Sequence, residues 1–109
     1  MIHILLVCSA GMSTSLLVKK MEEKAKEINL ESKIWAVATD AADASMAEAD
    51  VVLIGPQIKF MIDQISEKAK NYNIPVAPMD PKDYGTCNSV NILKQAIRLH
   101  LENKKESEE

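Results

Sequence analysis

The strongest constraint on the fold is the regular alternation between short apolar runs and longer amphipathic stretches. The first run, residues 2–7, is continuous except for His3 and is typical of a strand buried on both faces. Similar short runs follow at residues 33–38, 51–54 and 74–77, each separated from the next by a helical pattern. The sequence therefore predicts an α/β fold: a three-layer αβα sandwich around a four-stranded parallel sheet.

Four helices are predicted between and after these strands, near residues 13–28, 44–49, 58–69 and 90–101. The first and the last are expected to bury apolar faces that include Ile28 and Leu101, respectively. Pro78, Pro81 and Gly85 indicate a loop after the fourth strand.

Ligands of open parallel sheets bind beyond the carboxyl ends of the strands. Three regions should therefore meet at that edge of the sheet. They are residues 8–15, residues 39–43 together with 55–58, and residues 78–84.

The length and charge of the chain limit its organisation and its partners. We expect one domain over residues 1–101 and a charged tail over residues 102–109 that frays. The tail holds four Glu and two Lys, and therefore −2 of the net charge of −3. The remainder is nearly neutral, which argues against nucleic acid as a partner. No apolar run approaches the roughly 20 residues that span a bilayer, and no signal peptide is recognisable, so we expect a cytoplasmic protein without membrane insertion.

Aromatic and cysteine content narrows the function further. The chain has only one Trp, two Tyr and one Phe, which argues against sites that stack bases or a flavin ring. Cys8, Cys87, His3 and His100 have no metal-ligand spacing, so no metal site is expected. A redox role that pairs Cys8 with Cys87 stays open as an alternative.

The segment between the first strand and the first helix has the composition of a phosphate-binding loop. Gly11 and its small neighbours allow successive N–H groups to point into one concavity, and the helix N-terminus adds about half a positive charge. The loop residues that we expect to bind a phosphoryl group are Ser9, Ala10, Gly11, Met12, Ser13, Thr14 and Ser15. The same field favours a thiolate on Cys8, which we predict to be the catalytic nucleophile.

Two blocks of the chain resemble the cytoplasmic IIB component of bacterial phosphoenolpyruvate-dependent sugar phosphotransferase systems, lactose/cellobiose/chitobiose class. The first block, residues 6–18, reads LVCSAGMSTSLLV and is similar to the active-site loop of that family. The second block, residues 49–58, reads ADVVLIGPQI and is similar to its third strand and the following turn. The resemblance extends over nearly the whole chain except the acidic tail.

The resemblance implies a phosphocarrier. Cys8 would accept a phosphoryl group from a phosphohistidine on a IIA partner and pass it to a sugar bound by the membrane IIC partner. The backbone of residues 9–15 would hold the phosphoryl group, and no metal or organic cofactor would be required. A carrier that exposes one face to two partners in turn is expected to be a monomer.

The main alternative is a hydrolase similar to the low-molecular-weight tyrosine phosphatases, which also place a cysteine after the first strand. Asp80-Pro81 is similar to the Asp-Pro pair that supplies their general acid. Their loop, however, has an arginine six residues after the cysteine, where this chain has Thr14, and the only arginine here is Arg98. We therefore disfavour the hydrolase and expect Asp80 to cap a helix or turn.

Overall fold

The computed structural model describes residues 1–9 and 12–107, without the side chains of residues 12, 13, 106 and 107. Four parallel strands form one sheet in the order β2-β1-β3-β4. Their bounds are β1 Ile2–Cys8, β2 Ser32–Ala38, β3 Val51–Ile54 and β4 Val76–Pro78. The predicted α/β class and the four-stranded parallel sheet are thus confirmed.

Helices cover both faces of the sheet. Within the described residues these helices are α1 Met12–Glu27, α2 Ala42–Met46, α3 Ile62–Ala69, α4 Pro81–Gly85 and α5 Ser89–Ser107. Short 3-10 segments occupy Thr39–Ala41, Pro56–Met61 and Lys70–Tyr72. The helix predicted over residues 58–69 is therefore divided at Met61, which has non-helical dihedral angles (φ −93°, ψ 4°) and precedes α3. A second kink lies inside the 3-10 segment at Ile58 (φ −116°, ψ 23°).

Alternate residues of the central strands enter two separate cores. Leu6 of β1 and Leu53 of β3 point towards α1 and α5, whereas Val7 and Ile54 point towards α2 and α3. This period of two follows from the pleat of a strand, and burial on both faces explains why β1 is an almost unbroken apolar run. The three-layer arrangement follows directly.

The loop predicted after the fourth strand is partly wrong, because residues 81–85 form α4. Asp80 caps this helix: its Oδ1 accepts hydrogen bonds from the backbone N–H of Lys82 (2.9 Å) and of Asp83 (3.1 Å). Pro81 occupies the first helical position, where a missing N–H leaves no bond unmade. The capping role predicted for Asp80 is confirmed.

The inward orientation predicted for Ile28 is also wrong, since half of its surface is exposed (50%). Asn29 has a left-handed backbone (φ 56°) and reverses the chain after α1. The N–H of Leu30 bonds to the carbonyl of Ala25 (2.8 Å), and that of Asn29 to Lys26 (3.1 Å). This is the Schellman pattern, in which the residue after the turn packs back on the helix. Leu30 therefore contacts the core in place of Ile28.

At the other end of the chain, Leu101 is exposed (58%) although it was predicted to face inward. The buried face of α5 is formed by Ile92, Leu93 and Ala96. A 19-residue helix is about 28 Å long, and its last turns therefore extend past the sheet that it covers. The helix also continues to Ser107, beyond the predicted domain end at residue 101.

The same turn ends two further helical segments. Asn73 (φ 55°) follows Lys70–Tyr72, and Cys87 (φ 55°) follows α4. In both turns the next residue bonds back five positions, Ile74 to Ala69 (3.3 Å) and Asn88 to Asp83 (2.7 Å). Two of the three left-handed positions therefore hold Asn, which tolerates this conformation, and the third holds Cys.

This pattern predicts opposite effects of substitution at two equivalent turns. Cys87→Asn should raise the free energy of unfolding by about 0.5 kcal/mol, because Asn adopts φ > 0 more readily than Cys. Asn29→Ala should lower it by about 1 kcal/mol, with Asn29→Gly as the control that keeps the turn unstrained. Urea unfolding measures all three variants. Equal stability of Asn29→Ala and Asn29→Gly would contradict the assignment of strain to this position.

Candidate active site

Cys8 is the last residue of β1 and lies between the ends of two neighbouring strands. It is in register with Ala38 of β2, and the preceding Val7 is in register with Ile54 of β3. The strand order changes direction at β1, since α1 leads to β2 on one side and α2 leads to β3 on the other. This switch point is where open α/β sheets bind their ligands.

The side chain of Cys8 is completely buried, with 0% of its surface exposed. Its Sγ lies 3.3 Å from Oγ1 of Thr14, in the first turn of α1. Thr14 is also fully buried, and it is the only polar residue in the buried class among the residues that the structure describes. A buried hydroxyl requires a hydrogen-bonding partner, and the Cys8 sulfur is one, with either atom able to donate. Two polar groups are thus held against each other by adjacent elements, β1 and α1.

The remaining residues of the predicted loop are described to different extents. Ser9 is an exposed bend after β1, and Ser15 is exposed on α1. Met12 and Ser13 belong to the first turn of α1, but their side chains lie outside the described residues, as do Ala10 and Gly11 entirely. The phosphate-binding role of this loop stays a prediction.

The other segments predicted to meet at this edge are joined to it by backbone hydrogen bonds. Gly55 N–H donates to the carbonyl of Val7 (2.7 Å), and Met79 N–H donates to that of Ile54 (2.8 Å). The residues that follow β3 and β4 are therefore fixed relative to the end of β1. The segment after Ala38 starts from the register partner of Cys8.

A side-chain bridge that sequence reasoning missed links two of these segments. Gln57 Nε2 donates a hydrogen bond to the hydroxyl of Tyr84, on α4 (3.2 Å). Gly55 leaves room for this geometry, because a Cβ there would lie 2.5 Å from Oε1 of Gln57. The available signal was the Gly-Pro-Gln-Ile block itself, which does not indicate a partner 27 residues away.

The aspartate and the arginine considered for a hydrolase belong to elements other than the one that carries Cys8. Asp80 caps α4 through its carboxylate, as described above. Arg98 is exposed in the third turn of α5 and lines a surface groove with Lys94 and Leu101. The position six residues after Cys8 holds Thr14, a hydroxyl without charge.

Cys87 is a half-buried residue with a structural position. It is the left-handed residue that ends α4, and its side chain packs against the core beneath α1 and α5. Cys8 and Cys87 are both free cysteines. The structure therefore shows no disulfide between the two residues of the redox alternative.

The described part of the chain has neither a membrane-spanning helix nor a cluster of metal ligands. None of its helices combines the length and the apolar character needed to cross a membrane. Over the same residues, no three His, Cys, Asp or Glu side chains come together as a metal site would require.

Comparisons with known proteins agree with this architecture. The profile of the family "PTS system, Lactose/Cellobiose specific IIB subunit" matches residues 3–95. The oligo-beta-mannoside-specific EIIB component of Bacillus subtilis (strain 168) is 48% identical over 96 residues, covering 88% of this chain and 93% of the relative. The cellobiose-specific EIIB component of Lactococcus lactis subsp. lactis (strain IL1403) is 37% identical over 101 residues, covering 88% and 94%.

Solved structures show the same relationship. A cellobiose-specific phosphotransferase IIB component from Borrelia burgdorferi superposes with a TM-score of 0.79 at 38% identity, covering 94% of each chain. The lactose-specific IIB component domain from Streptococcus pneumoniae superposes with a TM-score of 0.81 over 90% of this chain and 96% of its own, and at 15% identity it supports the fold alone. The chain therefore belongs to the lactose/cellobiose-specific IIB family of the sugar phosphotransferase system.

Proposed function

We propose that Cys8 is the residue on which this IIB component carries a phosphoryl group, between a phosphohistidine of a IIA partner and a sugar held by a membrane IIC partner. The observation that carries the proposal is the contact between the buried Sγ of Cys8 and Oγ1 of Thr14 at the switch point of the sheet (3.3 Å). It supplies a nucleophile and a hydrogen-bond donor at the place where such folds bind ligands.

The proposed cycle consists of two in-line displacements at phosphorus. In the first, the Cys8 thiolate forms an S–P bond while the N–P bond of the donor breaks, and the departing imidazole keeps that electron pair and takes up a proton. In the second, a sugar hydroxyl forms an O–P bond while the S–P bond breaks, which restores the thiolate. The hydroxyl proton leaves to a base on the acceptor side. The work of the carrier is thus positioning and charge stabilisation.

Thr14 is proposed as the positioning residue for the sulfur. A β-branched side chain has few rotamers in a helix, and complete burial restricts Thr14 further, so its hydroxyl has few directions available. Donation from Oγ1 to a thiolate stabilises the charged nucleophile without introducing a cation. Complete burial of both groups strengthens this hydrogen bond relative to one in water.

The same arrangement favours transfer over hydrolysis. In phosphoryl transfer, a guanidinium that stabilises the transition state accelerates the reaction by about 10³–10⁵. A hydroxyl at position 14 in place of an arginine leaves the phosphocysteine without that acceleration. A carrier needs this persistence, because its phosphoryl group must survive until the acceptor is reached.

We propose that this cycle runs in the cytoplasm, on the side of the membrane where a phosphorylated sugar is retained. Relatives are named for oligo-beta-mannoside, galactose and cellobiose systems. We propose that the sugar is selected by the membrane partner, since this component needs to approach only the hydroxyl that becomes phosphorylated.

The proposed cycle predicts that Cys8 is the covalent site. Incubation with a phosphorylated IIA protein should add one phosphoryl group to the chain, and Cys8→Ser should abolish this product because the attacking thiolate is missing. Cys87→Ser is the matched control and should be loaded like the parent, since Cys87 ends α4. Intact-mass spectrometry under neutral conditions measures the product.

Normal loading of Cys8→Ser would show that another residue carries the group. The hydrolase alternative makes a different prediction for the same proteins. Sustained turnover of an aryl phosphate that is lost in both Cys8→Ser and Asp80→Asn would favour a phosphatase.

Two substitutions of Thr14 distinguish the effect of its hydroxyl on the transfer rate from the effect of its side-chain volume. Thr14→Val should slow single-turnover transfer from the phosphorylated IIA protein at least tenfold, because a hydrogen bond to a charged group contributes about 1.5–3 kcal/mol. Thr14→Ser retains the hydroxyl and should recover most of the rate. Rapid-quench kinetics at saturating donor measures both variants. Equal rates for Val and Ser would contradict a role for the hydroxyl.

A further inference from the structure

Phe60 is the most exposed large apolar side chain among the described residues, with 81% of its surface accessible. It is also the only phenylalanine of the chain. Its neighbour Ile58 is buried (4%), and Met61 and Ile62 pack against the core, but Phe60 belongs to neither core cluster. The segment is therefore anchored while this one ring points into solvent.

The anchored segment is fixed to the strand that carries Cys8. It begins after Gly55, whose N–H bonds to the carbonyl of Val7 (2.7 Å), the residue before Cys8. Pro56 restricts the first position, and Ile58 N–H closes the turn on the carbonyl of Gly55 (3.1 Å). Phe60 is thus presented at the same edge of the sheet as the nucleophile.

The distribution of the other exposed apolar side chains makes this position distinctive. Leu16, in the second turn of α1, shares the edge of Cys8 and is 56% exposed. The rest lie at the ends of elements on the opposite edge, namely Met1, Ile28, Tyr72 and Leu101. The edge of Cys8 therefore carries exposed apolar side chains on both faces of the sheet, Leu16 on the α1 face and Phe60 on the α3 face.

The charges beside Phe60 favour an anionic partner. Lys59 forms no ion pair with any carboxylate in the described part of the chain. It lines a cleft together with Pro56 and with Asp80, whose carboxylate accepts the capping hydrogen bonds of α4. Asp63 follows in the first turn of α3, where the helix N-terminus already stabilises a carboxylate. Lys59 is therefore the cation beside the ring that lacks a carboxylate partner in the described part of the chain.

We propose that Phe60 is the apolar anchor of the surface that binds the phosphorylated IIA donor, with Lys59 attracting its phosphoryl-bearing side. This inference rests on the proposed function of Cys8. Because Sγ of Cys8 is completely covered, the donor must displace the covering atoms and close over the edge to reach it. Phe60 would be desolvated in that step, and exposed aromatic residues that become buried are the typical hot spots of interfaces.

The charge of the group that each partner presents favours the donor over the membrane partner as the protein that binds this surface. A IIA protein presents a dianionic phosphoryl group on its own surface, which complements Lys59. The sugar acceptor is held within the permease and presents a neutral hydroxyl. Affinity for a donor that arrives by diffusion must come from the contacting protein surfaces alone, which an exposed aromatic ring can supply.

The test compares Phe60 with Tyr72, two exposed aromatic residues at opposite ends of α3. Phe60→Ala should raise the apparent KM for a histidine-phosphorylated IIA protein about tenfold, while the single-turnover rate at saturating donor changes less than twofold. Tyr72→Ala is the matched control, because Tyr72 is also exposed but lies at the far end of α3, and it should leave both values unchanged. Phe60→Leu should recover much of the affinity, and Lys59→Gln should weaken binding more at low salt than at high salt.

The outcomes separate this inference from the proposed function. If the parent protein is phosphorylated on Cys8 and Phe60→Ala has an unchanged KM, the surface proposal is wrong and the carrier function stands. If Phe60→Ala instead slows only transfer from phosphorylated protein to sugar in vesicles that contain the IIC permease, the surface belongs to the acceptor and the proposal is overturned. If the parent accepts no phosphoryl group, both proposals fail together.

Discussion

The double burial of β1 is the constraint on which the rest of the structure depends. This strand is hydrogen-bonded to β2 on one side and to β3 on the other, and helices cover both of its faces. Its end can therefore move only if the neighbouring strands and helices move with it. Cys8 is the last residue of this strand, so its position is fixed in the same way, and the first turn of α1 places Thr14 against it. The sheet and the first turn of α1 therefore set the position of this sulfur.

Most of the sheet could be predicted from sequence because buried strands have a strong local signal. Val51–Ile54 is a continuous apolar run bounded by Asp50 and Gly55, and its predicted limits are those observed. The order of the strands could not be predicted, because parallel crossovers leave no trace of which neighbour a strand will join. Helix ends were the weakest predictions. At Cys87 the left-handed turn lacks the Gly or Asn that usually signals it, and a five-residue helix such as α4 has too few positions to show a period.

The contacts of the candidate site also differ in how far the sequence could predict them. Cys8 and Thr14 are six residues apart, so their association follows from one strand-to-helix turn and was accessible to sequence reasoning. The bond between Gln57 and Tyr84 depends on where β3 and β4 end relative to one another, which only the assembled sheet determines. The division of residues 56–69 into a 3-10 segment, which carries Phe60, and α3 was also hidden. Periodicity alone treats these residues as one helix.

The complete burial of Cys8 has a consequence for the chemistry that it avoids. Oxidation of cysteine by peroxides, and exchange with low-molecular-weight disulfides, depend on thiolate character and on solvent access together. In the proposed cycle, the sulfur is uncovered only when a partner protein closes over it, and burial would withhold it from both reactions between transfer events. The fold would thus protect the proposed nucleophile from oxidation while it waits for its partner.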